Sequence, residues 1–132
     1  MFDPKEFIGV CRGLCQPGRS EAEYRTAVSR ALYGVFLWAR EELDARGCHV
    51  KADTYKEKPF EHDRVRSSFK TGKFRHDGVS SRLGGLYKLR YGSDYDLDVT
   101  INQGHVTQAL EYVNYIQDAF EKGLFGAPPT TS

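Results

Sequence analysis

SEAEYRTAVSRALYGVFLWAREELDAR, residues 20–46, is the longest unbroken helical pattern in the chain and decides its fold class. Ser20 followed by Glu23 is a capping box, in which each side chain satisfies an otherwise unpaired N–H of the first turn. Gly47 stands just past the last periodic residue, where a left-handed C-cap is wanted. Between those ends Tyr24, Ala27, Val28, Ala31, Val35, Trp38, Ala39 and Leu43 recur at three- and four-residue steps. Leu32, Phe36 and Leu37 widen the apolar surface beyond one stripe, so this helix is expected to touch neighbours on several sides. Arg30 and Tyr33 sit inside it, a charge and a phenol in apolar surroundings. A buried charge left unpaired is costly, so Arg30 is expected to find a carboxylate, Asp94 or Asp96, within about 4 Å.

The flanking segments read as further helices. Residues 4–15 carry one apolar stripe (Phe7, Ile8, Cys11, Leu14, Cys15), closed by Pro17-Gly18. Residues 48–59 are polar and aperiodic and read as a mobile, exposed connection. A third helix is expected over 60–70, with Phe60, Val65 and Phe69 inside and Arg64, Arg66 and Lys70 outside. Residues 81–91 give a fourth, in which Gly84 and Gly85 mark either close packing or a break. An acidic turn, GSDYDLD, fills 92–98. The last helix starts near Thr100, with Thr100 and Gln103 as its capping box, and packs Val106, Ala109, Leu110, Val113, Ile116 and Phe120. The tail, 126–132, is expected to be disordered. The expectation is one all-α domain over 1–125, a four- to five-helix up-and-down bundle.

At 132 residues the chain is long enough for one domain with its own core. No apolar run approaches a membrane span and the first residues do not read as a signal peptide, so a cytoplasmic protein is expected. Three cysteines, Cys11, Cys15 and Cys48, read as reduced and structural; no metal site or cofactor is expected. The net charge of +1 conceals an uneven distribution. Residues 46–90 hold 12 Lys/Arg against 5 Asp/Glu, whereas residues 91–132 hold 1 against 6. A basic middle suits an anionic partner, and a solvated loop and helix would give the same excess.

No phosphate-binding Gly-rich loop, nucleophile elbow or paired-Cys motif is present. The four histidines, at 49, 62, 76 and 105, show no metal-ligand spacing. The informative stretch is LYKLRYGSDYDLD, residues 86–98. Arg90 and Asp94 would face each other if the helix runs on through Gly92. That pair reads either as a helix-ending salt bridge or as a phosphate-binding Arg held in place by a carboxylate.

Together these pieces resemble the HEPN family of small α-helical domains. The resemblance rests on Ser29-Arg30-Ala31-Leu32-Tyr33-Gly34-Val35-Phe36, on Glu61-His62-Asp63-Arg64-Val65 with Phe69, and on Leu86-Tyr87-Lys88-Leu89-Arg90 leading to Asp94-Tyr95-Asp96. The final helix, 109–120, completes the order, and the likeness covers residues 20–122. It implies an all-α bundle that forms a homodimer with a cleft at the interface. It also implies RNA or nucleotide binding, often as a metal-independent endoribonuclease of a toxin–antitoxin or phage-defence system paired with a nucleotidyltransferase. The residues it points to are Arg90, Asp94 and Tyr95 for catalysis, and Arg30, Arg64, Arg66 and Arg90 for nucleic-acid binding.

One departure matters. The family's ribonucleases carry an Arg followed by a His four to six residues later, and no Arg here has one. At the matching place Arg90 is followed by Tyr95 and Asp96, whose ordinary pKa values suit a base at neutral pH poorly. Three readings stand: an RNA-acting protein, a non-catalytic accessory subunit that docks on a partner enzyme, and a small-nucleotide binder with Tyr91 or Tyr95 stacking on a base.

Overall fold

Ser20 and Glu23 form the expected capping box at the start of α2, Glu21–Ala45, and Gly47 ends it with φ +83°. Around α2, in the computed structural model, which describes residues 1–126, stand α1 (Lys5–Leu14), α3 (Glu61–Lys70), α4 (Asp77–Tyr95) and α5 (Gln103–Glu121). A 3₁₀ turn, Tyr55–Phe60, leads into α3, and Phe60, expected inside that helix, instead ends the turn and is 57% exposed. The protein is an all-α five-helix bundle, and among the described residues none is in a strand. The tail expected to be disordered lies, apart from Gly126, outside the described residues.

The broad apolar surface of α2 does what its width requires, since α2 packs against all four other helices. Val28, Ala31, Leu32, Val35, Ala39 and Leu43 are fully buried. They meet Ile8 and Cys11 of α1, Val65 and Phe69 of α3, Leu83 and Leu86 of α4, and Val113 and Ile116 of α5 in one core. Burial pushes the Cys11 thiol up to about 12, so it is an apolar filler and not a nucleophile. Among the described residues no helix is long and apolar enough to cross a membrane.

Three local expectations are corrected. α4 starts at Asp77 and not near residue 81, because the Nδ1 of His76 accepts the Val79 N–H and caps the helix there. α5 is capped by Asn102 and His105, not by Thr100 and Gln103; the Asn102 side chain accepts from His105 N–H while His105 Nδ1 accepts from Asn102 N–H. An imidazole replaces the usual Glu at the third helical position, so the sequence pattern passes over it. The 48–59 connection is exposed but anchored. Asp44 accepts the N–H groups of Val50 and Lys51, and buried Glu61, ion-paired with Arg40 at 3.1 Å, accepts that of Ala52.

Two glycine sites set how closely the helices approach. A Cβ at Gly34 would lie 2.5 Å from Ile8 Cγ1 and 3.2 Å from the Ile8 backbone nitrogen, so α1 seats directly on a bare stretch of α2. Gly84 and Gly85 mark close packing and not a break, with Arg66 against the first and the Tyr112 ring against the second. Gly9, by contrast, lies within α1 with open space where a Cβ would go. Gly34→Ala is therefore expected to destabilise the protein by about 1–3 kcal/mol through overpacking. Gly9→Ala is expected to stabilise it by about 0.5–1 kcal/mol through helix propensity. Denaturant midpoints of the two variants check the opposite signs.

Candidate functional site

The site is built where α2, α3 and α4 meet, and its scaffold is Arg25. Nη1 of Arg25 donates to the carbonyls of Ser93 (2.9 Å), Asp96 (3.1 Å) and Gly92 (3.2 Å), and Nη2 donates to that of Val99 (2.6 Å). Glu21 holds the same guanidinium from the other side at 2.9 Å. The last carbonyls of a helix have no partner within it and carry the negative end of its dipole. Arg25 supplies both donors and charge, so α4 continues through Gly92 to Tyr95.

Because α4 continues, Arg90 and Asp94 lie one turn apart on one face, with Nε to Oδ2 at 2.9 Å and side chains 21% and 27% exposed. Arg90 Nη2 donates to the Tyr33 hydroxyl at 3.0 Å. Its guanidinium carbon lies 5.3 Å from the Tyr33 ring centre and 5.6 Å from that of Tyr95, so two phenol rings flank one cation. Ser29 stands 3.5 Å from Asp94, at the outer limit of a hydrogen bond.

Arg30 is a correction. It reaches neither Asp94 nor Asp96, and among the described residues it makes no ion pair; its guanidinium lies over Phe7 (4.9 Å) and Tyr33 (5.4 Å). Arg25, Ser29 and Tyr33 recur every four residues and form the stripe that faces α4. Arg30 is one position further on, turned by about 100° around the helix toward α1. The link between central helix and acidic turn exists, but Arg25 makes it.

His62, placed on α3, enters the same cluster. Its ring stacks on Phe36 (centroids 3.9 Å, 18° between planes) and meets Tyr87 edge-on at 4.9 Å. Nδ1 lies 2.7 Å from the Tyr87 hydroxyl. Tyr87 also donates to the His62 carbonyl at 3.3 Å, which leaves its oxygen free to accept an Nδ1–H. Burial, reinforced by the Arg90 charge, lowers the imidazole pKa to about 4. Burial likewise pushes the Tyr87 phenol up. Both rings are therefore neutral at physiological pH.

The remaining expected residues divide. The Arg66 guanidinium lies 5.4 Å from the Tyr87 ring centre, and its buried Nε has no hydrogen-bond partner. Arg64 is held at the rim by Glu57 at 3.7 Å. Tyr95 is 60% exposed beside Arg90, and Asp94 is engaged by Arg90. The sequence pattern passes over Arg25, includes Tyr87 only within the motif over 86–90, and leaves His62 without a partner. The four-residue step from Arg25 through Ser29 to Tyr33 was the available signal for the first. Comparisons with protein-family models, with curated proteins and with solved structures each find no match.

Arg25→Met keeps the aliphatic stem and removes every donor. It is expected to cost about 2–4 kcal/mol in urea unfolding, whereas Arg30→Met should cost under about 1 kcal/mol. For His62 the sign follows from its depressed folded pKa. The unfolded chain takes up the proton first as pH falls below 6.5, so the His62 contribution is complete above that value and drains away toward pH 4. NMR titration should find the His62 ring neutral down to about pH 4, and His62→Gln should flatten the stability loss between pH 6.5 and 4.5.

Proposed function

We propose that the chain is a HEPN-like RNA- or nucleotide-binding protein of a prokaryotic stress or defence system, and that Arg30, Arg66 and Arg90 contact phosphate. The observation that carries this reading is a charge imbalance in a part-buried place. The Arg30 and Arg90 guanidinia lie over the Tyr33 ring and that of Arg66 over Tyr87, with the His62 ring between the two phenols, and among the described residues only Arg90 of the three has a carboxylate partner. Stacking on rings offsets part of the cost of holding cations there, and a phosphate would supply the missing anion. Asp63 near Tyr87 and Asp94 on Arg90 reduce the surplus without cancelling it.

The geometry favours binding over cleavage. Asp94 is spent on Arg90, the His62 ring is shared with Phe36 and Tyr87, and the Tyr95 ring stands beside Arg90 and Tyr91. A general base must reach its proton with a lone pair of suitable pKa, and a His62 held near 4 is a weak acceptor. A second reading, a non-catalytic subunit docking on a partner enzyme such as a nucleotidyltransferase, is favoured by Leu97. That side chain is 87% exposed on the turn whose carbonyls Arg25 holds.

Binding of a fluorescent RNA oligonucleotide, followed by anisotropy from 50 to 300 mM salt, tests the first reading. Affinity should fall steeply as salt rises, and Arg66→Ala should lower the log–log slope by about 0.7, the value for one phosphate contact on a single strand. Absence of binding to RNA and to nucleotides at 50 mM salt would leave the docking reading in its place.

A further inference from the structure

The outward stripe of α4 carries a pattern that phosphate binding alone does not use. Residues 84, 88, 91 and 95 recur at steps of four, three and four and therefore share one helix face. Gly84 leaves room there for the Arg66 guanidinium, since a Cβ would lie 2.9 Å from Arg66 Nη2. Lys88 follows, exposed, and then come Tyr91 and Tyr95, 66% and 60% exposed with ring centres 5.3 Å apart. Arg90 lies beside the stripe, its guanidinium carbon 5.6 Å from the Tyr95 ring centre. Two cations and then two aromatic faces thus run along about 16 Å of helix.

From this arrangement we infer that the α4 face is a platform for single-stranded nucleic acid, with bases stacking on Tyr91 and Tyr95 and the backbone running over Lys88 toward Arg66. The inference rests on the phosphate-binding reading above and narrows its ligand. Aromatic faces next to cations suit unpaired bases, because every base has a face to stack and a flexible strand can follow the phosphate-binding groups. A duplex has its bases already stacked, and its regular backbone fits poorly onto an Arg90 side chain that is only 21% exposed. The acidic turn sets the direction. Asp94 is neutralised by Arg90, whereas Asp96 and Asp98 lie beyond Tyr95 and repel phosphate, so the strand leaves the platform toward Arg66.

Anisotropy at 50 mM salt with a 12-nucleotide oligo-U, a 12-base-pair RNA duplex and uridine monophosphate tests this. The single strand should bind about tenfold or more tighter than either of the others. The double variant Tyr91→Ala/Tyr95→Ala should lose about tenfold for the single strand, while Tyr91→Phe/Tyr95→Phe should keep it. Asp96→Asn should bind as well as the parent or better. Equal affinity for strand and duplex, or a single-strand affinity indifferent to both Tyr→Ala changes, overturns the platform and leaves electrostatic phosphate binding standing. Absence of binding to all three ligands overturns both. Circular dichroism melts of the Tyr variants separate lost stacking from lost fold, since both rings are largely in solvent.

Discussion

The guanidinium of Arg25, with four backbone carbonyls around it, fixes the end of α4, and the candidate site depends on it. A helix end of this kind is usually closed by a glycine in the left-handed region. Here the residue after Tyr95 is Asp96 in extended backbone, so no Schellman turn forms. A charged donor from another helix takes its place. The substitution has a structural consequence that a glycine cap would lack, because it fastens α4 to α2 at the same point where it ends α4. Arg90, Asp94 and Tyr33 owe their mutual distances to that fastening. The turn after α4 is held as well, which explains how Leu97 and Val99 can stand exposed on ordered backbone.

The helices were legible because their signals are local. Ser20 with Glu23, Gly47, and the three- and four-residue spacing of α2 all lie within one turn of the features they specify. The site was legible only in pieces. Arg90 facing Asp94 follows from spacing once the helix is known to continue, but nothing near Gly92 says that it does; the reason is Arg25, 67 residues away. His62 shows the same limit. Its neutrality comes from stacking on Phe36 of α2 and bonding to Tyr87 of α4, neither of which a window around residue 62 contains. Arg30 was misassigned for a different reason. Its residue type called for a partner, and one step along the helix decided whether that partner could be Asp94 or had to be a ring.

The neutral imidazole is also what lets so many cations gather. Arg66 and Arg90 both act on the Tyr87 phenol, and Arg90 acts on His62. Were His62 charged, it would add another cation beside Arg90, which the Glu61 and Asp63 carboxylates offset only in part. Burial and the Arg90 charge act in the same direction, so the ring stays neutral and serves as an uncharged plate between the two phenols. Tyr33 and Tyr87 then offer the guanidinia ring faces, an attraction that water screens less than it screens a surface salt bridge. The Arg66 Nε, buried without a hydrogen-bond partner, carries a cost that the contact of its guanidinium with the Tyr87 ring offsets in part. The acidic turn stands apart from this cluster. Asp96 and Asp98 stand beyond Tyr95, at the opposite end of α4 from Gly84 and its Arg66 neighbour, so neither offsets that guanidinium.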